Sequence, residues 1–169
     1  MNTNLERSID RAIGLMNTPA DYENYILFKI KPVDGGCCCL NHWQETWATV
    51  NEYIYPCGPV RNEGDVLIDK NNVRFVLECH ESGPEIIVYL GLGTASIVLA
   101  KSVIDLITTL LKARQNEYHS RSGRFKIIRR FQTKGQVEEV EIMELDLPLS
   151  EDITKKLNDN IRNAIKEKK

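Results

Sequence analysis

The sequence lacks an excess of charge of either sign: 22 Lys and Arg stand against 24 Asp and Glu, a formal net charge of −2. That balance excludes a protein holding nucleic acid mainly through a strongly basic surface, while leaving room for a local basic patch. It also lacks paired cysteines. Cys37, Cys38, Cys39, Cys57 and Cys79 are odd in number and contain no C-x2-C spacing, which is poor spacing for zinc. A site built from Cys37, Cys38, Cys39, His42 and Cys57 ranks well below reduced cysteines packed as small hydrophobes, and no metal is expected. The N-terminal residues lack a basic stretch leading into an apolar run and a small-residue cleavage site, so neither export nor disulfides are expected. There is no G-x4-G-K-[ST] loop, no H-E-x-x-H and no G-x-S-x-G, and Gly91-Leu92-Gly93 lacks the third glycine of a dinucleotide fingerprint. No cofactor and no small-molecule substrate is therefore expected. No repeat or low-complexity linker is visible.

What remains is an ordinary globular chain of 169 residues, 42% of them hydrophobic, enough for one domain spanning residues 1–169. Leu5, Ile9, Ala12, Ile13 and Met16 recur at helical spacing before Pro19, which predicts an amphipathic helix over about 4–16. Residues 25–30 are aromatic and β-branched and predict a strand ended by Pro32, Gly35 and Gly36. Trp43, Trp47, Val50 and Ile54 fit a helical face that runs into an irregular segment at Pro56, Gly58 and Pro59.

Two hairpins are predicted. Residues 66–68 and 73–77 flank Asp69-Lys70-Asn71-Asn72, whose Asp and Asn tolerate turn geometry. Residues 125–131 and 137–142 flank Thr133-Lys134-Gly135-Gln136 and carry opposite charge, so Arg129 and Arg130 pairing with the glutamates would set the register. Pro148 and Ser150 then introduce a C-terminal amphipathic helix through Ile153, Leu157, Ile161 and Ile165, acidic at its start and basic at its end.

Residues 86–111 carry two charged side chains, Lys101 and Asp105. As one helix they would span about 39 Å, against about 30 Å for a bilayer core. The expected architecture is therefore α+β: an N-terminal helix, two β-hairpins flanking one long apolar helix, and a C-terminal amphipathic helix. Thr94, Lys101, Asp105, Thr108 and Lys112 form a polar stripe on that helix, and the rest of its surface is apolar or small. One reading makes it a membrane or oligomer-core helix, with Lys101, Asp105, Thr108 and Lys112 lining a wet pore and Gly91, Gly93 and Ala95 at subunit contacts. The other packs it against both hairpins, with Lys101 and Asp105 as an exposed i,i+4 pair. Two short hairpins and two modest helices offer little surface to cover so apolar a cylinder, which favours the first. The basic residues after the helix would put its C-terminal side in the cytoplasm.

Arg114-Gln115-Asn116-Glu117-Tyr118-His119 is an R-x4-H arrangement that resembles the signature of HEPN nucleases. The resemblance implies metal-independent RNA cleavage, with His119 in proton transfer and Arg114 on phosphate charge. The alternative is a cationic helix end complementing the dipole. Together with the 86–111 segment and the small size, this motif resembles the family of small accessory proteins found beside the RNA-guided RNase of type VI-B CRISPR loci. That resemblance implies a homo-oligomeric, non-enzymatic membrane pore that strengthens antiphage defence, functionally linked to an RNA-guided RNase. Its expected place is the inner membrane or its cytoplasmic face. The alternatives are a HEPN-like ribonuclease acting on RNA and a soluble, cytoplasmic interaction module.

Overall fold

Residues 86–89 are extended. In the computed structural model, which describes residues 4–35, 38, 42–54, 66–68, 73–80, 83–91, 96–117 and 123–168, they belong to a strand in the interior of a sheet. The elements in chain order are α1 (Asn4–Met16), a 3-10 turn (Tyr22–Asn24), β1 (Tyr25–Pro32), α2 (Gln44–Ile54), β2 (Val66–Ile68), β3 (Arg74–His80), β4 (Gly83–Tyr89), α3 (Ser96–Glu117), β5 (Arg124–Thr133), β6 (Gln136–Asp146) and α4 (Glu151–Lys168). The six strands form one sheet in the order β2-β3-β4-β1-β5-β6, with each neighbouring pair antiparallel.

The expected pair of hairpins flanking a helix of residues 86–111 is thus corrected. Ile86 pairs with Phe28 of β1 on one side and Leu77 of β3 on the other. Ile86 and Val88 face one layer of core and Ile87 the other. A strand buried on both faces reads as an unbroken apolar run, which periodicity cannot separate from a buried helix. The helix proper begins at Ser96 and continues past residue 111 to Glu117, 22 residues or about 33 Å. Among the described residues, no helix is long and apolar enough to cross a membrane.

The two faces of the sheet are covered unequally. On one, Ile26, Phe28, Ile30, Phe75, Leu77, Ile86, Val88, Phe125, Ile127 and Phe131 meet α2, α3 and α4. Leu99, Val103, Leu106, Ile107, Leu110 and Leu111 are buried along α3, which packs on α2 on one flank and α4 on the other. Its apolar circumference is used in three directions at once. On the opposite face, α1 alone among the described helices packs through Leu5, Ile9, Ala12 and Met16 onto Tyr25, Leu27, Val76 and Ile87.

Local chemistry fixes the ends of these elements. Asn17, at φ 50°, follows α1 in the left-handed region, and the Thr18 N–H returns 3.3 Å to the Ile13 carbonyl, a Schellman-type stop. Arg74 of β3 donates to the last carbonyl of α1, Met16 O, at 3.3 Å. The Tyr25 hydroxyl beneath this corner donates to Pro19 O at 2.9 Å and shares a further hydrogen bond with Thr18; desolvation by burial raises its pKa. Lys134 and Gly135, at φ 50° and 77°, make the two-residue β5–β6 turn with the geometry that suits strand twist. At α4 the Ser150 hydroxyl accepts the Ile153 N–H at 3.2 Å, as the sequence predicts for an N-cap.

Gly83 opens β4 at φ +120°, and a Cβ there would lie 2.1 Å from Ile30 O. Gly14 on α1 has no atom within 4 Å of its notional Cβ. Gly83→Ala is expected to lower the unfolding free energy by at least about 2 kcal/mol, through backbone strain and strand displacement. Gly14→Ala is expected to raise it by about 0.5–1 kcal/mol through helix propensity. Urea unfolding of the two variants checks both signs, and an unchanged midpoint for Gly83→Ala would contradict the β4–β1 packing.

Candidate functional site

The R-x4-H segment lies at the end of α3, and Arg114 turns into the protein. Its guanidinium sits 4.2 Å over the Trp43 ring, and Nη1 is 3.1 Å from Glu117 Oε2. Trp43 in turn meets Phe125 edge-on, with ring centroids 6.3 Å apart. The same Glu117 carboxylate accepts the backbone N–H groups of Glu45 at 3.2 Å and Thr46 at 3.1 Å, and also the Thr46 hydroxyl. Glu117 therefore serves as a remote N-cap for α2, satisfying donors that the helix itself leaves free. Arg114 neutralises that carboxylate and stacks on an indole. A buried, engaged guanidinium is not presented to a phosphate. His119 lies outside the described residues.

The expected pore stripe is the outer surface of α3. Lys101 and Lys112 are exposed, and Asp105 and Thr108 are half-buried. No Lys101–Asp105 ion pair forms among the described residues. The Asp105 carbonyl accepts the Thr109 hydroxyl at 2.7 Å. Gly91 follows β4, and a Cβ there would strike the Tyr89 ring; Thr94, Gly93 and Ala95 lie outside the described residues.

A charged row that sequence reasoning missed crosses the α1 face. Glu78 and Glu85 are directly opposed on β3 and β4, each 4% exposed. Arg11 of α1 approaches Glu78 at 3.5 Å and Lys29 of β1 approaches Glu85 at 3.0 Å. Two carboxylates facing each other would repel; with a cation at each end, the row is balanced within the fold. Among the described residues, no group of three or more His, Cys, Asp or Glu side chains is placed to hold a metal ion.

The strongest unused feature is the outer edge of β6. Its bulge lies opposite the Ile127/Ile128 step, where pairing shifts from Met143 to Glu141. Asn160 of α4 donates there to Ile142 O at 3.1 Å. Residues 138–141, by contrast, are all exposed. Counting outward from the two-residue turn, the antiparallel ladder alternates bonded and non-bonded pairs, which directs the N–H and C=O groups of Val137, Glu139 and Glu141 away from β5. No partner meets these groups among the described residues.

The charges of this hairpin are sorted by face. Arg130 pairs with Glu139 at 3.0 Å and Lys126 with Glu141 at 3.3 Å, so the expected Arg130–Glu pairing forms. Arg129 instead points to the helix layer, where Nη1 donates to Ala164 O at 2.7 Å and lies 3.1 Å from Glu167, clamping the end of α4. Glu138 makes no ion pair among the described residues. The acidic run was legible in the sequence; that β6 is an edge strand was not, because strand order is a tertiary property.

Comparison with protein-family models, with curated proteins and with solved structures returned no match.

Glu117→Ala is expected to lower the unfolding free energy by about 2–4 kcal/mol, since it uncaps α2 and takes a carboxylate away from the buried Arg114 guanidinium. Glu138→Ala, at an exposed carboxylate, is expected to stay within about 0.5 kcal/mol of the parent. Equal denaturant midpoints for the two variants would remove Glu117 from its capping role.

Proposed function

We propose that this chain is a non-enzymatic protein-interaction module that receives an extended segment of another protein along β6, at residues 137–141. The observation that carries the reading is the free edge itself: three alternate residues, Val137, Glu139 and Glu141, present backbone donors and acceptors outward, while α4 and the bulge occupy the following stretch. Adding a strand satisfies such groups and extends the ladder, the mode known as β-augmentation. The open stretch is about 17 Å long at about 3.4 Å per residue, enough for a short linear segment. Val140, 40% exposed between glutamates, offers one apolar contact to a neighbouring strand.

A second copy of the chain does not suit this edge. Antiparallel pairing of two β6 strands centred on any of residues 138–141 sets glutamate opposite glutamate, which destabilises a sheet pair. The occupant is therefore a different protein. A ribonuclease reading draws no support from Arg114, which is engaged with Trp43 and Glu117.

The test uses a neutral eight-residue peptide of alternating Thr and Val, titrated into isotopically labelled protein and followed by amide chemical shifts. Shifts are expected at Val137, Glu139 and Glu141, with α3 unmoved. Glu139→Pro, which removes an outward N–H and leaves the β5 ladder its donors, is expected to abolish them in a protein that still unfolds cooperatively. Absence of edge shifts at millimolar peptide, or shifts confined to other surfaces, would overturn the reading.

A further inference from the structure

The β6 edge carries a pattern as well as a free backbone, and the pattern specifies the partner. Resting on the interaction-module reading, we infer that the segment taken up by β6 is basic, with the order Lys/Arg, apolar, Lys/Arg, Lys/Arg along its own direction when it pairs antiparallel. Cross-strand neighbours in a sheet lie on the same face, about 4.5–5.5 Å apart at Cβ. Glu139 and Glu141 stand on the α1 face, because their partners Arg130 and Ile128 do. Glu138 and Val140 stand on the helix face, opposite Phe131 and Arg129. A partner strand therefore meets, in its own N-to-C order, Glu141, Val140, Glu139 and Glu138, and the complementary side chains are cation, apolar, cation, cation.

The glutamates have acceptor capacity for this despite their existing pairs. The side chains of Glu139 and Glu141 are 58% and 46% exposed while bonded to Arg130 and Lys126, and a carboxylate accepts several hydrogen bonds across its two oxygens. Glu138 makes no ion pair among the described residues and is exposed. The pattern also rejects alternatives. An acidic segment meets like charge at three of these four positions, and the same repulsion that disfavours a second copy excludes it.

The experiment compares three eight-residue peptides with central residues Lys-Val-Lys-Lys, Thr-Val-Thr-Thr and Glu-Val-Glu-Glu, each binding to the intact protein measured by amide shifts in low salt and at 0.5 M NaCl. The lysine peptide is expected to bind at least tenfold more tightly than the threonine peptide, to lose most of that advantage at high salt, and to shift Val137, Glu139 and Glu141. The glutamate peptide is expected to give no edge shifts. Glu138→Lys, at a residue outside any internal ion pair, is expected to weaken the lysine peptide about three- to tenfold while leaving the threonine peptide unchanged. If the threonine and lysine peptides bind the edge equally, the charge selection falls and the module reading stands. If no peptide shifts the edge, both fall. If the lysine peptide shifts residues elsewhere, such as the Glu78 and Glu85 strands, the assignment to β6 is wrong.

Discussion

The structure depends on the burial of α3. This helix is laid against the centre of one sheet face and enclosed on its flanks by α2 and α4, so it contributes more buried apolar side chains than any other described helix. Each such side chain is worth about 1.5–3 kcal/mol relative to exposure. The neighbouring elements are then tied to the layer by polar contacts near their ends. Glu117, at the last turn of α3, caps the first turn of α2, and Arg129 of β5 donates to the Ala164 carbonyl near the end of α4. Polar groups thus orient the helices that apolar burial gathers.

The unequal covering of the sheet follows from the same constraint. With three described helices committed to one face, the other is left to α1, whose apolar stripe covers β1, β3 and β4. Beyond it the sheet becomes charged. Lys29 and Glu85 pair across β1 and β4, and Arg130, Lys126 and Arg124 pair with the acids of β6. The Lys29–Glu85 pair is largely buried; the more exposed pairs of β5 and β6 add little stability individually, and their effect is to fix the β5–β6 register and keep that part of the sheet face wettable. The edge of β6 is where this order ends, with backbone groups directed outward and three glutamates to sort what can approach. A charged edge is one way sheet proteins suppress indiscriminate pairing, and in the proposed reading the same charges select the partner.

Much of the secondary structure was legible. The α1 stripe, the turn at Lys134 and Gly135 and the Ser150 cap are local signals, and each sits where its residues dictate. The failure at residues 86–111 was equally physical. Ile86, Ile87 and Val88 are buried on both faces, so they show neither the alternation of a half-exposed strand nor a period of their own. Continuing that run into α3 produced a segment of membrane length from two separate elements, a strand that ends at Tyr89 and a helix that begins at Ser96. The candidate site fared differently. Arg114 was visible as a chemically capable residue, but its inward aim onto Trp43 depends on α2 packing, 71 residues away in the case of the Glu117–Thr46 contact. The acidity of β6 was plain from composition, whereas its position at the edge depends on β1 inserting between β4 and β5.

The central claim is that residues 86–111 divide into an interior strand and a helix packed on the same sheet. Backbone chemical shifts and interstrand proton contacts of the intact protein in solution test it directly. The account predicts extended shifts for residues 86–89, close backbone contacts joining Ile86 to both Phe28 and Leu77, and helical shifts from Ser96 to Glu117. Continuous helical shifts from Ile86 to Leu111, without contacts to β1 or β3, would contradict it.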